Sequence, residues 1–183
     1  MALIESLKLP LNITVPDFTL LNPTGEKFSL DTLNGKKGSI IIFTCNHCPY
    51  AIAIWQRLIK LSYWAKENGI NTIAINPNIH PNYPEDSAEN MIKKITEWQI
   101  PFPYLVDHDQ TIAKAYQAQC TPDLYLIDHN KTLQYHGRFD DNWQNESDVQ
   151  SEDLKNAIQN VLTQQAPLTE QYPSMGCSIK WKN

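Results

Sequence analysis

The sequence predicts an α/β sandwich whose strands run in both directions, and three observations indicate this class. Two continuous apolar, β-branched runs, SIIIFT (39–44) and INTIAIN (70–76), are typical of strands buried on both faces of a sheet. A stretch with helical spacing of apolar residues separates them, which gives a β-α-β order. Later, DLYLID (123–128) and TLQYHGRF (132–139) flank a short turn and predict an antiparallel pair. Parallel and antiparallel neighbours therefore belong to one sheet flanked by helices.

The first elements are short and extended. VPDFTLLN (15–22) and EKFSL (26–30) are joined by the turn residues of PTG (23–25), which predicts an N-terminal β-hairpin. SIIIFT follows as a buried strand. A helix is then predicted from Pro49 to about Asn68, where Asn68 and Gly69 supply a stop signal.

After the INTIAIN strand and a proline-broken loop, Ser87 is positioned to cap a second helix. PYLVDHD predicts a short strand and turn, QTIAKAYQA a short helix, and the DLYLID and TLQYHGRF pair follows. Ser151 is expected to cap a last helix with one apolar face, formed by Leu154, Ile158, Val161 and Leu162.

The length of 183 residues and a hydrophobic content of 42% suffice for one core, so a single domain over 1–183 is expected. Its core should span about 15–165, with a C-terminal tail over 166–183. The tail is broken by proline, yet its end, SMGCSIKWK, is too apolar for simple disorder.

Composition narrows the class of function. Fifteen basic against twenty acidic residues give a net charge of −5, which offers no broad cationic surface and argues against nucleic-acid binding. No apolar run is long enough for a signal sequence or for crossing a membrane, so a soluble, cytoplasmic protein is expected. Four cysteines in a reducing compartment favour a catalytic or metal-binding role for a close pair.

Such a pair occurs in FTCNHCPY, where Cys45 and Cys48 bracket His47 between a predicted strand and a predicted helix. Free N–H groups and the helix dipole lower the pKa of a thiol at this position, and a protonated His47 would add to the effect. Two cysteines on a first helical turn can also close a small disulfide, so this spacing supports dithiol-disulfide exchange. Pro49 fits the first turn of the helix, where its missing N–H has no partner to lose.

The same spacing also allows a metal site. The two-residue gap is that of a zinc knuckle, and His47, Cys120 or Cys177 could complete four ligands. However, Cys120 and Cys177 lie far apart in sequence and have no neighbouring cysteine or histidine. Two buried thiols without chemistry are the remaining alternative.

Four segments together resemble the thioredoxin-like superfamily, specifically the redoxin branch of peroxiredoxins and thiol-disulfide reductases. They are VPDFTLLNPTGEKFSL, SIIIFTCNHC, PFPYLVDHDQTIAKAYQAQCTPDLYLID and, within the last, Thr121-Pro122. The resemblance extends from about Val15 to Leu162, and the tail resembles that of a small bacterial subgroup with a Cys-Asn-His-Cys-Pro centre. It implies a thioredoxin-like sandwich: a central mixed sheet flanked by helices, with the hairpin as an N-terminal extension.

The resemblance also implies roles. Pro122 would be a cis proline, leaving the Thr121 backbone as a docking edge where an extended partner segment could pair. Cys45 would attack, Cys48 would resolve, and His47 would tune the thiolate. Cys120 and Cys177 are each either an extra resolving thiol or a small buried side chain.

Two departures from the family patterns limit this carry-over. Peroxiredoxins have Pro and Thr or Ser seven and three residues before the reactive cysteine, but Gly38 and Ile42 precede Cys45 at these positions. The acid that thioredoxin buries on its central strand is also missing from Ile40, Ile41, Ile42 and Phe43, so no proton acceptor is assigned.

The function expected from the sequence is that of a thiol-disulfide oxidoreductase that reduces protein or small-molecule disulfides with electrons from an external thiol donor. A thiol peroxidase using the same cysteines is the first alternative, and a metal-binding or structural module is the second. No cofactor is expected, because no dinucleotide-binding glycine pattern is present among the 6 glycines.

Overall fold

The computed structural model describes residues 3–182 as ten strands and five α-helices. Seven strands form one mixed sheet in the order β3-β2-β6-β5-β4-β8-β9, and three form a small second sheet in the order β1-β10-β7. The strands are β1 Leu3–Glu5, β2 Thr19–Leu21, β3 Lys27–Ser29, β4 Gly38–Phe43, β5 Ile70–Asn76, β6 Tyr104–Val106, β7 Cys120–Thr121, β8 Asp123–Asp128, β9 Leu133–Gly137 and β10 Met175–Ser178. The helices are α1 Leu30–Leu33, α2 Pro49–Glu67, α3 Ala88–Trp98, α4 Thr111–Ala115 and α5 Asp153–Leu162.

Strand β4 is the centre of the large sheet and is buried along its whole length. It pairs with β5 in parallel, with Ile41 opposite Ile73, and with β8 in antiparallel, with Ile41 opposite Tyr125. The continuous apolar run therefore marked a strand covered on both faces, as predicted. The predicted α/β class with a central mixed sheet is confirmed.

Helices cover both faces of this sheet. Trp55 and Leu58 of α2, Met91 of α3 and Leu154 of α5 lie in one apolar cluster. Leu30 of α1 and Ala113 of α4 lie in another cluster. Because the side chains of β4 alternate between the two clusters, the layers are helix, sheet and helix.

The predicted hairpin is present as β2 and β3, but it is more than an extension. Leu21 pairs with Val106 of β6, so the hairpin forms one edge of the main sheet. Ser87 caps α3, with its side chain accepting the Asn90 N–H. The Ser151 cap is wrong: α5 begins at Asp153, and the Ser151 hydroxyl instead donates to the Asp153 carboxylate at 2.7 Å.

The C-terminal tail forms strand β10, for which the sequence carried no strand prediction. It lies between β1 and β7, with Leu3 and Thr121 on either side of Cys177. The two ends of the chain thus meet beside the Thr121-Pro122 segment.

Two 3₁₀ turns, Pro84–Asp86 and Glu146–Asp148, complete the described structure. None of the helices in the described residues is both long and apolar enough to span a membrane.

Candidate active site

The two cysteines of the FTCNHCPY motif lie between the central strand and the longest helix. Strand β4 ends at Phe43, Cys45 follows in the connection, and Cys48 is the N-cap residue of α2 with Pro49 in its first turn. Both are free thiols without exposed surface. The order of strand, cysteines and helix agrees with the prediction.

The Thr121-Pro122 segment faces both sulfurs. The peptide bond between these residues is cis, as the resemblance implied. The Thr121 hydroxyl lies 3.3 Å from the Cys45 sulfur, and its carbonyl oxygen accepts from the Cys48 thiol at 3.0 Å. The fold therefore brings Cys45, Cys48, Thr121 and Pro122 to one place.

The pKa shifts of the two thiols have opposite directions. Hydrogen bonding from the Cys45 thiol, followed by that from the Cys177 thiol, outweighs burial and lowers the pKa of Cys48 to about 5. Burial raises the pKa of Cys45 well above its ordinary value, and its bond to Cys48 and the nearby Asp86 charge act in the same direction. These directions favour a thiolate at Cys48, whereas the contacts of Thr121, whose hydroxyl lies against Cys45 and whose carbonyl oxygen accepts from the Cys48 thiol, favour a thiolate at Cys45.

Protonation of Cys48 changes its partners. As a thiol it donates to the Thr121 carbonyl oxygen. As a thiolate it is stabilised by the backbone N–H groups of Ala51 and Cys177 as well as by the two thiols. Because two adjacent thiolates would repel each other, ionisation of one thiol disfavours ionisation of the other.

His47 does not bond to either cysteine sulfur. Its Nδ1 hydrogen-bonds to the Asp86 carboxylate, and its ring stacks on Tyr83 with 4.7 Å between ring centroids. Its Nε2 is buried and has no hydrogen-bond partner in the part of the chain that the structure describes. A ring nitrogen of His47 nevertheless lies within 4.8 Å of the Cys45 sulfur, and the tuning of the thiolate by His47 stays a prediction.

Asp86 is the functional candidate that the sequence did not reveal. It is fully buried and accepts from the Asn46 N–H at 2.7 Å and from the Asn76 side chain at 2.9 Å, in addition to His47. The charge of this carboxylate contributes to the raised pKa of Cys45, after burial and the bond to Cys48. Its only sequence signal was an acidic residue in a polar loop, where most carboxylates are solvated.

The possibility of a metal site is narrower than the sequence suggested. Within residues 3–182, one group of potential ligands is found, Cys45, His47 and Asp86, whose ligand atoms lie within 4.8 Å of one another. Cys120 and Cys177 are not members of it. A structural zinc site requires four protein ligands, and Asp86 already accepts three hydrogen bonds, so these residues fit a resident zinc poorly.

The expected docking edge is occupied. Cys177 and Ser178 of β10 pair with Thr121 and Cys120, so the backbone edge beside Pro122 is already filled by this chain's own tail. The apolar tail folds back onto this edge, so the docking of an extended partner segment there stays a prediction that requires the tail to leave first.

A cavity of about 280 Å³ adjoins this region. It is bordered by Pro122, by Met175 of the tail and by aromatic side chains, including the contacting pair Tyr50 and Trp143. The cavity lies beside the covered dithiol, and the tail forms part of its wall.

A dithiol between the central strand and the following helix, facing a cis proline, defines a redox enzyme of the thioredoxin type. Comparison with known families makes the assignment more specific. The AhpC/TSA family pattern matches residues 12–136, and the chain belongs to that family.

Solved structures support the fold. An uncharacterized conserved protein from Geobacillus kaustophilus is 39% identical with a TM-score of 0.94, and the match covers 100% of this chain and 97% of that one. The peroxidoxin BcpB from Mycobacterium tuberculosis is 16% identical with a TM-score of 0.62, covering 85% and 98% of the two chains. A thiol:disulfide interchange protein from Bacteroides sp. is 17% identical with a TM-score of 0.63, covering 85% and 91%. None of the curated proteins compared matches this chain.

Proposed function

We propose that this protein is a thiol-disulfide oxidoreductase in which Cys45 and Cys48 alternate between dithiol and disulfide. The observation that supports this best is the pair of buried thiols at the cis Thr121-Pro122 peptide, where the Thr121 hydroxyl lies 3.3 Å from the Cys45 sulfur and its carbonyl oxygen accepts from the Cys48 thiol at 3.0 Å. The lowered pKa of Cys48, about 5, supports a thiolate at neutral pH that is ready for exchange. The substrates are protein or small-molecule disulfides, and an external thiol restores the dithiol.

The reaction follows from the protonation order. The Cys48 thiolate attacks one sulfur of a substrate disulfide, forms a mixed disulfide and releases the first substrate thiolate. Cys45 then loses its proton and attacks the Cys48 sulfur, which releases the second substrate thiolate and leaves a Cys45–Cys48 disulfide. Two electrons pass to the substrate.

The proton on Cys45 needs an acceptor in a buried place. The His47–Asp86 pair lies within 4.8 Å of the Cys45 sulfur. The Coulombic effect of the Cys48 thiolate on Cys45 also disappears once Cys48 is held in a mixed disulfide. These contacts support a role for His47 and Asp86 in proton transfer and for Thr121 in positioning the Cys45 sulfur.

A thiol peroxidase is the alternative that the family membership keeps open, and one observation weighs against it. A peroxide-reactive thiolate gains from a nearby fixed cation. Both arginines of the chain are engaged elsewhere, Arg57 with Asp140 and Arg138 with Asp153.

The deciding experiment equilibrates metal-free protein with graded ratios of reduced and oxidised glutathione and identifies cross-linked peptides by mass spectrometry. We expect a reversible Cys45–Cys48 disulfide in the wild type and in the control Cys120→Ser. Turnover of a disulfide peptide should exceed turnover of hydrogen peroxide with the same thiol donor. Faster peroxide turnover would favour the peroxidase, and dithiol locked by zinc would favour the metal-binding module.

A further inference from the structure

Strand β10 is built to lie on the active centre. It pairs antiparallel with Thr121, and Gly176 lies so close to the Thr121-Pro122 peptide that an added Cβ would come within 2.0 Å of the Thr121 carbonyl oxygen. Only glycine permits this approach without displacement of the backbone. The covering of the dithiol by the tail is therefore a specific packing arrangement.

This packing places a third thiol, that of Cys177, beside Cys45 and Cys48. Cys177 is 3% exposed and shares one small apolar cluster with Cys45, Cys48 and Ala51. It lies opposite Thr121, whose carbonyl oxygen accepts from the Cys48 thiol. Cys48 consequently has one thiol neighbour from its own loop and another from the tail.

Cys120 shows that a nearby position in the fold is not sufficient to bring a thiol into this cluster. It pairs with Ser178, one residue along from the Cys177–Thr121 pair, so alternation turns its side chain to the other face. Its sulfur is directed at the carbonyl oxygens of Pro122 and Ser174, at 3.5 and 4.0 Å. It is therefore the matched control for Cys177.

We propose that Cys177 is a third redox thiol of this centre, and that the disulfide of Cys48 exchanges between Cys45 and Cys177. The inference rests on the proposed function, which supplies the Cys45–Cys48 disulfide. The Cys177 sulfur, as thiolate, attacks the Cys48 sulfur, the Cys45–Cys48 bond breaks and a Cys48–Cys177 bond forms. Cys45 leaves as a thiolate and takes up the proton that Cys177 loses, so no outside oxidant or reductant is consumed.

The acidity of Cys177 changes in the direction that this step needs. In the reduced protein, burial together with the hydrogen bond and charge of Cys48 raises the pKa of Cys177 to about 12. The two contributions from Cys48 vanish when Cys48 enters a disulfide, and the Lys180 charge, which lowers the pKa of Cys177, remains. Formation of the first disulfide thus makes Cys177 a better nucleophile.

The consequence is a choice of two oxidised forms. A Cys45–Cys48 disulfide leaves the tail held by packing and by its pairing with β1 and β7, without a covalent bond. A Cys48–Cys177 disulfide joins β10 covalently to the start of α2 and keeps the docking edge covered. The exchange would therefore couple the oxidation state to access for partner proteins.

The test maps disulfides after equilibration with glutathione, acid quenching and alkylation of the remaining thiols, in the wild type and in Cys45→Ser, Cys177→Ser and Cys120→Ser. Cys45→Ser should form only Cys48–Cys177, and Cys177→Ser only Cys45–Cys48. Wild type and Cys120→Ser should contain both. In Cys45→Ser, pairing should be at least about tenfold faster in the folded protein than in urea, because the fold holds the sulfurs together.

Two results would overturn the inference. One is a Cys45→Ser protein in which Cys48 is only glutathionylated, and the other is Cys48 pairing with Cys120 as readily as with Cys177. Loss of the Cys45–Cys48 disulfide in Cys177→Ser would instead overturn the proposed function. Gly176→Ala, checked for folding by circular dichroism, should lower the amount of the Cys48–Cys177 disulfide at least about tenfold. The amount of the Cys45–Cys48 disulfide should stay unchanged.

Discussion

Hydrogen bonding from the Cys45 thiol is the largest cause of the lowered pKa of Cys48, and this makes a quantitative prediction. Replacing Cys45 by alanine removes the donor, whereas serine retains one in the same place. A hydrogen bond to a charged group contributes about 1.5–3 kcal/mol, and a pKa change of one corresponds to about 1.4 kcal/mol. We therefore expect Cys45→Ala to raise the pKa of Cys48 from about 5 to about 6–7, and Cys45→Ser to change it much less.

The ultraviolet absorbance of the thiolate, followed against pH, measures this directly and needs no access to the buried sulfur. Burial raises the pKa of Cys120 and of Cys177, so Cys48 is the thiol that titrates below pH 9 in both variants. The pH dependence of alkylation, located by mass spectrometry, gives a second reading. If the two variants titrate at the same pH, Cys45 is not the donor. If Cys48 titrates near 9 in the serine variant, it is not the resting thiolate.

Three further predictions concern stability and the surroundings of the dithiol. Because folding lowers the pKa of Cys48 from 9.0 to about 5, the unfolded chain binds more protons between these pH values, and the free energy of unfolding should rise with pH there. Ionisation of Cys48 should contribute about 3 kcal/mol to the free energy of unfolding at pH 7, and this contribution should be lost towards pH 5. In urea titrations, Cys48→Ser should flatten the dependence of this free energy on pH. Asp86→Asn should lower the free energy of unfolding by about 2–3 kcal/mol. It should also let Cys45 react with iodoacetamide at lower pH, because the carboxylate raises the pKa of Cys45. An unchanged pH profile of this alkylation would contradict the reasoning. Gly176→Ala should displace β10, lower the free energy of unfolding by about 1–3 kcal/mol and speed alkylation of Cys48 in the native protein. Equal alkylation rates in the variant and the wild type would show that the tail does not limit access to Cys48.

Much of the active centre was predictable because it is local in sequence. The strand ending at Phe43, the helix beginning at Pro49 and the cysteines between them depend on periodicity and on the preference of proline for a first turn. The cis bond before Pro122 followed from the family resemblance. The proximity of Thr121 to both sulfurs agrees with the role that this resemblance gave it.

The surroundings of Cys48 were not predictable in this way. Sequence reasoning placed Cys45 at the helix N-terminus, but the N-cap is three residues later, at Cys48. The position of the cap depends on one turn of backbone geometry, which periodicity locates only to within a few residues. The donor set around Cys48 also includes Cys177, which is distant along the chain.

By itself, the sequence determined the class of fold, the dithiol and the helix that follows it, because buried strands, helical periodicity and a close cysteine pair are local patterns. Tertiary structure alone decided that Asp86 lies buried beside Cys45, that β10 fills the edge of Thr121, and that Cys177 meets Cys48. These contacts join segments separated by tens of residues. Their energies depend on burial and on shared hydrogen bonds, which exist only once the chain has folded.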